Sequence, residues 1–113
     1  MDIVTGSVEG RDALRVFLRA DHLPDEELQD VWDASVDATY RWIKPGYNLD
    51  APAGVVQFVL NVAAHIWRSR DTGGDIQALP DGSWSTGASI TSNLVRRYAP
   101  LGGRYVRSPR VVA

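Results

Sequence analysis

The residues best suited to proton transfer or metal binding are His22 and His65, and they stand far apart in the chain. Neither belongs to a ligand motif such as His-Glu-x-x-His, and the chain has no cysteine to supply a thiolate. Asp33 and Asp37 lie one helical turn apart, a spacing that could pair carboxylates, but a solvated acidic face accounts for them better. Gly73-Gly74 and Gly102-Gly103 lack the Gly-x-Gly-x-x-Gly and Gly-Lys-Ser patterns of phosphate loops. The sequence therefore predicts no catalytic residue, no cofactor site and no metal site.

Binding to an anionic polymer is better represented. Arg96, Arg97, Arg104, Arg107 and Arg110 cluster towards the end of the chain, with Tyr98 and Tyr105 between them. Such residues could contact phosphates. The formal net charge is −2, and it divides unevenly. Residues 1–50 carry a net −6 and residues 51–113 a net +4. Opposite halves could attract head to tail between copies, or the basic half could meet nucleic acid.

A length of 113 residues fits one domain, large enough to bury a core without disulfides. No basic-plus-apolar leader is visible at the start of the sequence, and no apolar run is long enough to span a bilayer.

The element that must position everything else is Ala53 to Trp67, which contains no charged residue. Its apolar side chains fall on nearly every side of a helical wheel, as in a buried helix. Only Gln57, Asn61 and His65, spaced by four, break the pattern. They form one narrow stripe, either a solvent-facing line or a polar contact between subunits. Asp50 as N-cap, Pro52 in the first turn, Arg68 and Arg70 near the end and Gly73-Gly74 beyond it frame the helix.

The other elements follow in order. Residues 1–8 show no period and read as a loose arm or a short extended stretch. Gly10 to Arg19 reads as a short helix with Ala13, Leu14, Phe17 and Leu18 inward. Leu23 to Ile43 reads as the second helix, with Pro24 and three acids in its first turn. Its core stripe is Leu28, Val31, Trp32, Ser35, Ala38, Thr39 and Trp42. Small residues Ala34, Ser35 and Ala38 allow the central helix to come close. Tyr47 and Leu49 are expected to cover the bottom of the core. Pro80-Asp81-Gly82-Ser83 is a turn signal between Ile76–Leu79 and Trp84–Thr86, predicting a small hairpin or projecting loop. Ile90 to Tyr98 is the last helix, with Ile90, Leu94 and Val95 inward and Arg96 and Arg97 outward. Residues 104–113 form a basic tail, disordered or extended along a partner. The expected fold is thus mainly α: a bundle of about four helices with a hairpin or loop before the last and an extended C-terminal arm. Residues 1–8 and 101–113 would be arms and 9–100 the core.

This order of parts resembles the head–tail connector (adaptor) proteins of long-tailed phages. The likeness rests on RADHLPDEELQDVWDASVDATYRWI, PAGVVQFVLNVAAHIWRSRD, a glycine-rich hairpin region and SITSNLVRRYAP. Asp21-His22-Leu23-Pro24-Asp25-Glu26-Glu27-Leu28 stands where the family has an acidic stretch before its second helix. The likeness covers residues 9–100 and is one of helix order; the tryptophan-rich core and the basic tail depart from it. It implies a non-enzymatic virion protein made in the host cytoplasm. Copies would form a ring, commonly of twelve, under the capsid portal, extending the channel through which DNA passes non-specifically and receiving the next neck or tail protein. By position, Ile76, Leu79, Trp84, Arg104, Tyr105, Arg107 and Arg110 would contact the portal or neighbouring copies. Arg96 and Arg97 would face the channel or an interface. The alternative is a small helical regulator that binds DNA through its basic last helix and tail.

Overall fold

The computed structural model describes residues 1–72, 76–78, 84–86 and 94–107. It is mainly helical. Helix α1 spans Val8–Leu18, α2 spans Asp25–Thr39 and α3 spans Ala53–Thr72. Strands β1 (Ile76–Ala78) and β2 (Trp84–Thr86) pair antiparallel, Ile76 with Thr86 and Ala78 with Trp84. Residues 94–98 are helical and run into a 3-10 helix, Ala99–Tyr105. The hairpin predicted around Pro80-Asp81-Gly82-Ser83 is present as this ladder; the turn itself, Leu79 and Ile90 lie outside the described residues.

Helix α3 is the centre. It packs against α1, α2, β1 and the 3-10 segment. Val55, Phe58, Val59, Val62 and Ala63 have no exposed surface. Gly73-Gly74, read as the stop of this helix, lie outside the described residues; the helix is described to Thr72. Its start differs. The Val56 N–H bonds to the Pro52 carbonyl, which makes Pro52 the N-cap position rather than a first-turn residue. Asp50 does not cap; it sits in the left-handed region at φ 50°, and its N–H bonds to Asp2. Of the polar stripe, Gln57 is exposed and Asn61 and His65 are half-buried. The Asn61 amide donates to the Gln57 carbonyl at 2.8 Å. Within the single chain this line is partly open, Gln57 to solvent and His65 against Tyr98.

Helix α2 carries the predicted stripe. Leu28, Val31, Trp32, Ser35, Thr39 and Trp42 are buried and Ala38 is half-buried. The Ser35 hydroxyl donates to the Val59 carbonyl on α3 at 2.7 Å, so the small residue lets the helix backbones meet. The helix is shorter than the expected Leu23–Ile43. At its start Pro24 is again the N-cap. At its end Ile43 leaves the helix to form an isolated antiparallel bridge with Val106.

Helix α1 starts earlier than expected, because the Ser7 hydroxyl caps the Gly10 N–H at 3.0 Å. Gly10 is buried inside the helix, and a Cβ there would run into the Trp32 ring. The expected inward face holds for Leu14, while Phe17 is exposed on the outside together with Val8 and Val16. Arg15 organises the connector. It donates to the carbonyls of Ala20, Asp21 and Leu23 and pairs with Asp25 at the start of α2.

The chain ends need amending as far as they are described. The first residues are not a loose arm. Ile3 is buried, its N–H bonds to the Asn48 carbonyl at 2.6 Å, and the Met1 carbonyl accepts from Ala51 at 2.9 Å. Residues 101–107 pack on the core, with Gly102 and Val106 buried against each other. Tyr47 and Leu49 do not cover the core; both are exposed, and Ile3 and Val106 take that place.

Asp33 belongs to this N-terminal tie. Its carboxylate accepts from the Gly6 N–H at 2.8 Å and from Gln29 at 3.0 Å. Asp33→Ala is expected to lower stability by about 1 kcal/mol, read in urea denaturation. A change within about 0.2 kcal/mol of zero would mean that these partly exposed bonds are replaced by water at no cost.

Candidate interaction surface

The bridge between Ile43 and Val106 brings together two stretches that are remote in sequence. Both of its side chains point into the core. The backbone pairing extends to either side: the Lys44 N–H bonds to the Tyr105 carbonyl at 3.0 Å, and the Arg107 N–H to the Trp42 carbonyl at 2.7 Å. The Arg107 guanidinium also donates to the Arg41 carbonyl at 2.9 Å. The result is an exposed surface holding Arg41, Lys44, Arg104 and Arg107.

Tyrosines lie among these cations. The Arg104 guanidinium sits 5.0 Å from the centre of the Tyr105 ring and donates to its hydroxyl at 3.0 Å. Tyr105 in turn meets Tyr47, ring centres 4.8 Å apart. Arg41 lies 5.7 Å from the Tyr40 ring and donates to the Tyr40 hydroxyl at 3.1 Å. The hydrogen bonds to Tyr40 and Tyr105 push the pKa of Arg41 and of Arg104 up from the ordinary arginine value, so both keep their charge. Tyr40 and Tyr47 are 54% and 42% exposed.

Among the described residues, none of these four cations makes an ion pair. Ion pairs there join Met1 to Glu9, and Arg11 and Arg15 to Asp12 and Asp25, the latter at the start of α2. Asp25, Glu26 and Glu27 stand in the first turn of α2, Asp30, Asp33 and Asp37 follow along it, and the cations gather at the segment beyond its end at Thr39.

Arg104, Tyr105 and Arg107, singled out in the sequence as contact residues, are brought together here. Arg41, Lys44, Tyr40 and Tyr47 were not expected with them. The available signal was that Arg41 and Lys44 are the only cations between Arg19 and Arg68. Arg96 and Arg97 are exposed on the 94–98 helix while Leu94 and Val95 are buried, as expected. Ile76 and Trp84 lie on opposite strands at opposite ends of the ladder, and Leu79 and Arg110 fall outside the described residues. His65 meets Tyr98 edge to face, ring centres 6.1 Å apart. No group of three or more His, Cys, Asp or Glu side chains among the described residues could hold a metal ion. No described helix is long and apolar enough to cross a membrane.

No family model matches the chain, and neither the curated proteins nor the solved structures include a significant match.

Proposed function

We propose that this chain is a structural protein of the head–tail connector kind, whose copies form an adaptor ring joining a phage portal to the neck or tail. The observation that carries the reading is the order and packing of the helices. A short helix and an acid-led second helix wrap a long buried one, followed by a hairpin and a last short helix. Apolar side chains left on the outside support it. Val8 and Val16 lie on α1, and Val16 is 75% exposed. Heterologous contacts between unlike faces of one wedge can close a ring, and the acidic first turn of α2 and the exposed cations of the 41–44 and 104–107 segments are unlike faces of opposite charge. By the resemblance, the segments Ile76–Trp84 and Arg104–Val112 are the parts offered to the portal and to the next neck protein. Arg96 and Arg97 are offered to the channel, where they would screen passing DNA without reading sequence.

The test is co-expression with the portal protein encoded in the same genome, followed by affinity capture and negative-stain microscopy. A ring on the portal's lower face is the expected result. No association with the portal, together with tight sequence-selective duplex binding lost in Arg96→Ala/Arg97→Ala, would replace this reading with that of a DNA-binding regulator.

A further inference from the structure

We propose that the surface formed by Arg41, Lys44, Arg104 and Arg107 with Tyr40 and Tyr47 binds single-stranded nucleic acid. The cations would take the phosphates and the exposed rings would stack on bases. The inference stands apart from the adaptor reading, since it concerns the isolated protein and a different set of arginines from Arg96 and Arg97.

Three observations carry it. First, the four cations converge from two segments 66 residues apart in sequence at their closest bond, Arg107 to Arg41. None of the four has an anionic partner among the described residues. On a chain of net charge −2 with many exposed acids, four neighbouring cations left without acids form a local positive field. Second, the tyrosines are interleaved with the cations, and Tyr40 and Tyr47 are about half exposed. A base has a flat π face for such a ring, and each stacked base adds roughly 1–3 kcal/mol. A duplex keeps its bases stacked inside and offers only its phosphates, so the rings favour the single strand. Third, the surface is held in place. The backbone bonds between 42–44 and 105–107 fix its two halves, and the Arg41 and Arg104 guanidiniums are anchored on tyrosine hydroxyls. Anchored groups lose less freedom on binding.

The probe is fluorescein-labelled single-stranded dT20, followed by anisotropy at rising NaCl, with a duplex of equal length and heparin as comparisons. Four phosphate contacts on a single strand predict a slope of log K against log salt of roughly −3. Affinity should therefore fall about fiftyfold between 50 and 200 mM. Arg41→Ala/Arg104→Ala should halve that slope, and Arg41→Lys/Arg104→Lys should restore it. Tyr40→Leu/Tyr47→Leu should weaken dT20 at least fivefold, the lower end of one lost stacking contact, and should weaken heparin by less, since heparin loses only the Tyr40 anchor of Arg41. Circular dichroism checks that each variant folds; all four positions are exposed. The proposal fails if dT20 does not bind at 50 mM NaCl, or if its binding depends on Arg96 and Arg97 instead. It fails equally if dT20, duplex and heparin bind alike and ignore the tyrosine variants, which would leave a counterion surface only. It also fails if Arg41→Glu/Arg104→Glu disperses a self-associated protein that dT20 cannot disperse, which would assign the surface to the acidic face of a second copy.

Discussion

Trp32→Ala should lower the stability of this protein by about 3–5 kcal/mol, a large part of the total for a domain of this size. Trp32 has no exposed surface, and it fills the space that Gly10 leaves open on α1. Its ring therefore sets the distance between α1 and α2. Its indole N–H also donates to the Val4 carbonyl at 2.9 Å, which fastens the N-terminal segment to α2. Removing the ring leaves a cavity that the surrounding helices can only partly close. Trp32→Phe keeps much of the volume and should cost about 1–2 kcal/mol, near the value of a lost hydrogen bond plus a small void. Urea denaturation followed by circular dichroism measures both. Amide exchange at Ile3 adds a local readout, since its bond to Asn48 should open more often in the alanine variant. A cost under 1 kcal/mol for Trp32→Ala would mean that Trp32 does not hold α1 to α2.

Ser35→Leu is the second large effect, expected at about 3 kcal/mol, the upper end of ordinary overpacking. Ser35 is fully buried, and its hydroxyl reaches the α3 backbone itself at Val59. No larger side chain fits there unless α2 and α3 move apart, and moving them opens the contacts of Val31, Val55 and Val59. Ser35→Ala removes only one bond, to a carbonyl in a helix interior that has its own helical partner, so it should cost about 1 kcal/mol or less. The contrast between the two substitutions is the diagnostic measurement. Equal, mild costs would mean that the two helices are not in close contact at this position.

Much of the fold could be read from the sequence where many residues carry one signal. Helix α3 is legible because its uncharged run leaves a single polar line, and the apolar remainder is what the other elements cover. The stripe of α2 is legible because seven positions repeat at three and four. The hairpin follows from the chemistry of its turn residues. Ends and single residues were harder. The apolar pattern runs on through Trp42 and Ile43, but α2 ends at Thr39 and Ile43 pairs with Val106 instead. Ile3 is one apolar residue in a polar stretch, with no period to mark it as buried. Phe17 fits the inward face on a wheel, but α1 turns Leu14 and Gly10 to the core and leaves Phe17 at the edge. The basic surface was half legible for the same reason. Arg104 and Arg107 stand in an obvious cluster, whereas Arg41 and Lys44 join it through backbone bonds that no local pattern records.

The loop from Trp42 to Ala51 receives both described ends of the chain: residues 1–3 bond to 48–51, and 105–107 bond to 42–44. These two dockings cannot happen together while the polypeptide is leaving the ribosome, because synthesis delivers the N-terminal part first. The clasp on Met1 and Ile3 can shut once residues 1–51 have emerged. The clasp on Tyr105 and Arg107 must wait until those residues follow. A nascent chain paused after Thr72 would thus carry its three long helices with one side of the loop still unfastened, and residues 105–107 would be the ones that lock it.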